Sequence, residues 1–145
     1  MDSIMRMINV IYRCGMQYRS EKLEQYGLNG CQPPYILNIC RQPGISQDGL
    51  AKRLYVNKSS VTRQLAVLEQ NGFIERKNSD ADRRTVCVYP TPKALKVYPV
   101  VCSVLSEWNR YLTEELSPEE QQQFASLLSR LMDQAAAYTE KGDRL

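Results

Sequence analysis

The chain has 145 residues and contains no histidine, one tryptophan and two phenylalanines. Without histidine it lacks both the usual general base near neutral pH and the commonest nitrogen ligand for metals. Its five cysteines, Cys14, Cys31, Cys40, Cys87 and Cys102, include no C-x-x-C pair and have no zinc-site spacing. An odd cysteine count gives no disulfide framework, and a reducing, cytoplasmic compartment is expected. No G-x-x-x-x-G-K-[ST] or G-x-G-x-x-G loop occurs, and no carboxylate pair stands in a recognisable catalytic frame. These absences argue against an enzyme and against any metal or other cofactor. No apolar run is long enough to cross a bilayer, so no membrane partner is expected. No basic start followed by an apolar core suggests a signal peptide, and there are no repeats or low-complexity segments. A formal net charge of only +3 means that any anion-binding surface must come from placed, not abundant, positive charge.

What the chain does have is a legible helix pair followed by a hairpin. One-domain length and a 43% hydrophobic composition exclude wholesale disorder. Ser46 is a helix cap, and Leu50 and Leu54 form an inward stripe at i, i+4. A second helix starts at Asn57, whose side-chain oxygen suits the free amides of a first turn. Val56 and Val61 fit a hydrophobic staple, Val61, Leu65 and Leu68 form the apolar face, and Gly72 is placed to end the helix in a left-handed conformation. Lys58, Ser59, Ser60, Thr62 and Arg63 cluster near the start of this helix, where a recognition helix presents side chains to base edges. Ser46 and Gln47 would lie near phosphate at the first helix's start.

Val86 and Val88 then alternate with Thr85, Cys87 and Tyr89 as in a half-buried strand, and residues 79–83 supply the preceding turn. Arg83 and Arg84 at that tip suit the enhanced negative potential of a narrow minor groove, with Lys77 on the strand before it. Asp80 and Asp82 are close enough to hold one arginine while the other reaches outward. Residues 58–84 carry six cations (Lys58, Arg63, Arg76, Lys77, Arg83, Arg84) against four anions (Glu69, Glu75, Asp80, Asp82). Helix pair, hairpin and basic tip together define a winged helix-turn-helix and imply binding to double-stranded DNA. A winged helix used only for protein–protein contact is the alternative, but it would have no need of Arg83 and Arg84 beside that helix face.

Residues 43–94 resemble the MarR family of bacterial transcription regulators. The resemblance is carried by Pro43-Gly44-Ile45-Ser46, Leu50-Ala51-Lys52-Arg53-Leu54, Val61-Thr62-Arg63-Gln64-Leu65, Leu68-Glu69-Gln70-Asn71-Gly72-Phe73-Ile74 and Asp82-Arg83-Arg84. Where the family often shows Leu-Thr-x-x-Gly after the wing, this chain has Pro90-Thr91-Pro92-Lys93-Ala94 and keeps only the threonine. The resemblance implies a homodimer on a pseudo-palindromic operator, commonly a repressor released by a small ligand or by oxidation.

The rest of the chain fits a mainly helical protein in which both termini build a dimerisation domain. Ile4, Ile8, Ile11, Gly15 and Tyr18 mark one helical stripe; Phe124, Leu127, Leu128, Leu131, Ala135 and Tyr138 mark another. Ser117, Pro118 and Glu120 give the last helix a cap, a first-position proline and a capping box. Two lone helices bury too little surface to be stable together, so pairing with a second copy is expected. Thr91–Glu115 reads as a connecting helix ~37 Å long at ~1.5 Å per residue, with a kink or break at Pro99. The expected organisation is a dimerisation helix in residues 1–30, the winged helix-turn-helix in 31–90, and the connecting and dimerisation helices in 91–145.

Two sensing mechanisms are open. The resemblance implies a cleft between the dimer helices and the winged helix. Tyr12, Tyr18, Tyr35, Tyr98, Trp108 and Tyr111 are its candidate lining, suited to a small aromatic effector. Alternatively, Cys14 lies between Arg13 and Arg19, and cationic neighbours favour a reactive thiolate. Peroxide-sensing members carry their cysteine in the first helix, yet Cys14 falls about two turns later than theirs, counted at ~3.6 residues per turn.

Overall fold

The computed structural model describes residues 3–140. Among them are α1 (Ile4–Leu23), α2 (Pro33–Arg41), β1 (Ile45–Ser46), α3 (Gln47–Leu54), α4 (Lys58–Gln70), β2 (Ile74–Asn78), β3 (Val86–Pro90), α5 (Pro92–Thr113) and α6 (Pro118–Glu140), with a single 3₁₀ turn at Glu24–Tyr26. The mainly helical winged helix-turn-helix fold is therefore present. The chain divides into two units, one ending at Trp108 and one beginning at Asn109, and each is described by itself.

In the first unit the sequence signals act where they were expected. Ser46 Oγ accepts from the Gly49 amide at 2.9 Å, and Asn57 Oδ1 accepts from the Ser60 amide at 2.8 Å. Each cap satisfies an amide that the first helical turn leaves without a partner. Val61, Leu65 and Leu68 are buried, and α4 ends with Gly72 at φ 80°. Gly72 is needed there because side chains at such φ clash with their own backbone. Leu50 is fully buried, Leu54 half-buried, and Val56 packs half-buried on the core that holds Val61. The turn between α3 and α4 places Tyr55 at φ 53°, the sole non-glycine residue with positive φ among the described residues.

The wing belongs to a three-stranded antiparallel sheet of order β1-β3-β2. β2 and β3 pair from Ile74↔Pro90 to Asn78↔Val86, and β1 adds Ile45↔Val88 and Ser46↔Cys87. The sequence did not announce β1: two residues show no periodicity, and its pairing comes wholly from β3. The core joins Leu23, Ile36 and Ile39 to the inner faces of α3 and α4, to Phe73, Ile74 and Val88, and to Ala94, Val97 and Val101 of α5. Fixed in this way, α4 and the wing share one packed body.

One expectation is corrected. α5 passes through Pro99 without a break. Proline removes the amide that would bond the Leu95 carbonyl, but both residues lie on the exposed side of the helix, where water can serve that carbonyl.

In the second unit, Ser117 and Glu120 form the expected reciprocal capping box, with bonds of 2.9 and 3.2 Å. Gln121 Nε2 also donates to the carbonyls of Thr113 and Leu116, closing the turn between α5 and α6. No described residue of α6 is buried: Phe124, Leu127, Leu128 and Leu131 are all more than 40% exposed. In the first unit, the N-terminal half of α1 likewise leaves Ile4, Met7 and Ile11 at 45% or more. Both stripes are thus left largely open by the chain's own packing.

Candidate nucleic-acid interface

The outer face of α4 is built by the same periodicity that buries its inner face. Lys58, Ser59, Thr62 and Arg63 are exposed, and Ser60 is half-buried. Several of these groups are held locally. Ser59 Oγ donates to Asn57 Oδ1 at 2.8 Å, and Thr62 Oγ1 donates to the Lys58 carbonyl at 2.9 Å. Arg63 reaches Ser60 Oγ at 3.1 Å, which props its guanidinium along the helix surface with most of its donors free. Lys58 Nζ lies 3.4 Å from Asp48 Oδ1, both largely exposed, a pair weak enough to be exchanged for a phosphate.

At the hairpin tip Asp82 holds the turn at Arg84 through the backbone. Its carboxylate accepts from the Arg84 amide at 3.0 Å and from Thr85 Oγ1 at 3.2 Å, bracing the turn's backbone instead of an arginine head. Asn78 Nδ2 donates to the Arg83 carbonyl across the same turn. Arg83 and Arg84 are exposed, and among the described residues neither guanidinium is in an ion pair. Asp80 is an exposed residue of the same loop. Lys77 lies 3.7 Å from Glu75 Oε2 and 5.5 Å over the Tyr89 ring, one ladder pair from the tip end of the wing.

Arg76, one of the six cations counted in residues 58–84, faces inward. Its guanidinium and amide bind both Glu69 oxygens, with 3.0 Å contacts from Nη2 and from the backbone, and its Nη1 reaches Gln47 Oε1 at 3.4 Å. It therefore ties α4, β2 and the start of α3 together and is spent internally. Gln47 is half-buried by the same contact. Hydrogen bonds from Arg76 hold the Glu69 carboxyl below its ordinary pKa, against a smaller opposing effect of desolvation. A lowered folded-state pKa stabilises above the unfolded carboxylate value, and that contribution is lost as pH falls through the folded value. Glu69→Gln is therefore expected to lower stability at neutral pH by an amount that shrinks in acid. Urea titrations of both proteins at a series of pH values check this; a gap independent of pH would count against the assignment.

Among the candidate effector residues, Tyr18 and Trp108 come together beside Gly15 and Arg19. Tyr18 and Trp108 stack with centroids 5.0 Å apart, and Tyr18 donates to Glu107 Oε2 at 3.3 Å. Tyr35 is taken into the core, where burial, then Cys31, raises its phenol pKa. Tyr98 accepts from Arg41 Nε at 3.0 Å, a separate cluster. Tyr12 is exposed under the Arg19 guanidinium, and Tyr111 is an exposed residue of the second unit. Cys14 is exposed on α1, but Arg19 is committed to the Gly30 carbonyl at 3.0 Å and to Tyr12. The thiol of Cys40 is instead raised by burial and by nearby Cys102, which makes it a poor nucleophile.

This arrangement, a helix pair with an exposed basic and hydroxyl face beside an arginine-tipped wing, matches a known class. A profile of the MarR family aligns with residues 35–86. The chain is 31% identical over 97 residues to the HTH-type transcriptional regulator BilQ of Clostridium symbiosum (strain WAL-14163), covering 67% of each chain. It is 26% identical over 147 residues to the uncharacterized HTH-type transcriptional regulator YybA of Bacillus subtilis (strain 168), covering 99% of this chain and 98% of that one. Its fold matches a MarR family transcriptional regulator from Listeria monocytogenes, solved complexed with 26mer DNA, with a TM-score of 0.89 and 24% identity over 100% of this chain and 99% of that one. The chain belongs to the MarR family of transcription regulators.

Among the described residues, no helix is long and apolar enough to cross a membrane.

Proposed function

We propose that this chain is a homodimeric, sequence-specific DNA-binding regulator, a cytoplasmic repressor that reads a pseudo-palindromic operator and is modulated by a small effector. The observation that carries DNA binding is the outer face of α4: Lys58, Ser59, Thr62 and Arg63 stand exposed opposite buried Val61, Leu65 and Leu68. Arg83 and Arg84 extend that positive surface on the wing. α4 would enter the major groove and the wing the adjacent minor groove. Ser46, Gln47 and Asn57 line the phosphate side, although Ser46 and Asn57 already use their side-chain oxygens as helix caps. The solved Listeria relative complexed with DNA supports the same use of the fold.

Homodimerisation is supported by the open apolar stripes of α1 and α6. The repressor role and the release by a small aromatic effector follow the family's habit. Peroxide release through Cys14 is the alternative signal, although Arg19 is bound to the Gly30 carbonyl and stacked on Tyr12.

The division of labour is testable. Arg63→Ala should change which sequences are preferred and cost ~1–3 kcal/mol on a cognate duplex, as loss of a base-edge contact does. Lys58→Ala should weaken binding to all duplexes alike and flatten the salt dependence, as loss of a phosphate contact does. Fluorescence anisotropy across a salt series separates the two, and equal, salt-independent losses would show the helix face to be misassigned.

A further inference from the structure

Arg76 touches more than the carboxylate that neutralises it. Glu69 accepts from its backbone amide and Nη2 at 3.0 Å and from its Nε at 3.4 Å. Nη1 reaches a different element, donating to Gln47 Oε1 at 3.4 Å. A guanidinium has donors and no acceptor, so Gln47 must present its oxygen to Arg76 and turn its NH2 group away. Among the described residues that NH2 group has no acceptor. The half-buried Gln47 side chain is thus held in one of its two amide orientations by a neighbour that is itself fixed.

Gln47 opens α3, next to Asp48, whose carboxylate lies 3.4 Å from Lys58 Nζ at the start of α4. The start of α3 therefore touches both parts of the proposed DNA surface: α4 through Lys58, and strand β2 of the wing through Arg76. With α4 in the major groove and the wing in the adjacent minor groove, the feature of the duplex between them is a sugar-phosphate backbone. Gln47 stands between the two contacts, where that backbone would pass. A neutral NH2 donor suits a phosphate oxygen there and carries no sequence information of its own.

We propose that Arg76 is a positioning residue for DNA binding: it fixes the Gln47 amide with its NH2 group outward, and that group donates to a backbone phosphate. Arg76 itself stays on Glu69 and meets no DNA. The contact contributes orientation and one hydrogen bond, but no net charge, so it releases no counterion from the duplex. This role rests on the DNA-binding function proposed above, which does not itself require it.

The test uses the full chain and a duplex that the wild-type protein selects from a random pool. Gln47→Ala should weaken binding about tenfold, as loss of a hydrogen bond to a charged group does, with the salt slope unchanged. Gln47→Glu separates contact from folding. Its carboxylate is a stronger acceptor for Arg76 and suits the first turn of a helix, so the urea midpoint should be no lower than that of wild type. It has no donor and repels phosphate, so duplex affinity should still fall at least about tenfold. Arg76→Lys keeps a charge for Glu69 but lacks the fork that spans Glu69 and Gln47, and should weaken binding by a factor like that of Gln47→Ala. Adding Arg76→Lys to Gln47→Ala should then cost little more than either change alone. Wild-type affinity in Gln47→Glu, or losses from Arg76→Lys and Gln47→Ala that multiply, would overturn the role of Arg76 and leave the DNA-binding function standing. A wild-type chain that selects no duplex would sink that function and this role together.

Discussion

Placing aspartate at both Leu127 and Leu131 is expected to leave the protein monomeric and to remove most of its operator affinity. The two leucines are 57% and 49% exposed within the chain and lie about one turn apart on α6. A leucine buried at an interface contributes ~1.5–3 kcal/mol, and a two-fold symmetric interface counts each position twice. Burying a carboxylate there adds a desolvation cost. The combined loss should raise the dimer dissociation constant by at least about a thousandfold. A monomer then meets one half-site without help from the second. Sedimentation velocity reads the oligomeric state, duplex titration reads the affinity, and circular dichroism checks that the helices persist. A variant that stays dimeric with unchanged operator affinity would show that these stripes serve something else.

Phe73→Ala is expected to cost ~3–5 kcal/mol of stability, the usual range for emptying a fully buried aromatic site. Phe73 has no exposed surface. Its amide donates to the Leu68 carbonyl at 2.9 Å and its carbonyl accepts from the Thr91 amide at 3.0 Å, so it joins α4 to the start of α5. Its ring also carries the Lys93 ammonium. Truncation would leave a cavity where three elements meet and remove the surface that positions Lys93. Urea denaturation should show a lower midpoint with little change in slope. A loss below about 1 kcal/mol would mean that the neighbours collapse into the space and that Phe73 is not the joint described here.

The elements that proved legible were those whose signals are local. Asn57 caps α4, Val61, Leu65 and Leu68 repeat at helical spacing, and Gly72 occupies the left-handed position that ends it. The capping box of Ser117 and Glu120 was equally readable because both partners lie within one turn. What stayed hidden depends on partners distant in sequence. β1 exists because β3 pairs with it. Arg76 enters the local charge count as one more cation, and nothing in that count shows that Glu69, seven positions earlier, and Gln47, twenty-nine earlier, hold it. Lys93 finds its acceptor twenty-two positions back. Asp80 or Asp82 was expected from charge to hold one wing arginine; Asp82 braces the turn through the Arg84 backbone amide and the Thr85 hydroxyl, a short-range use that charge counting does not specify. Pro99 was read as a kink or break because the pattern does not say which way its helix face points; exposed, the proline leaves the helix unbroken. The tyrosines share helical spacing with core residues, so spacing alone could not separate Tyr35 in the core from Tyr98 on Arg41.

The most direct test of the account is selection of bound duplexes from a random pool, followed by footprinting of the winner. If α4 reads base edges in each protomer of a dimer, one motif should emerge with two related half-sites about 10 base pairs apart, protected on successive turns of one face of the DNA. Recovery of unrelated sequences, with protection no different from that of random duplex at the same salt, would contradict sequence-specific reading by this helix.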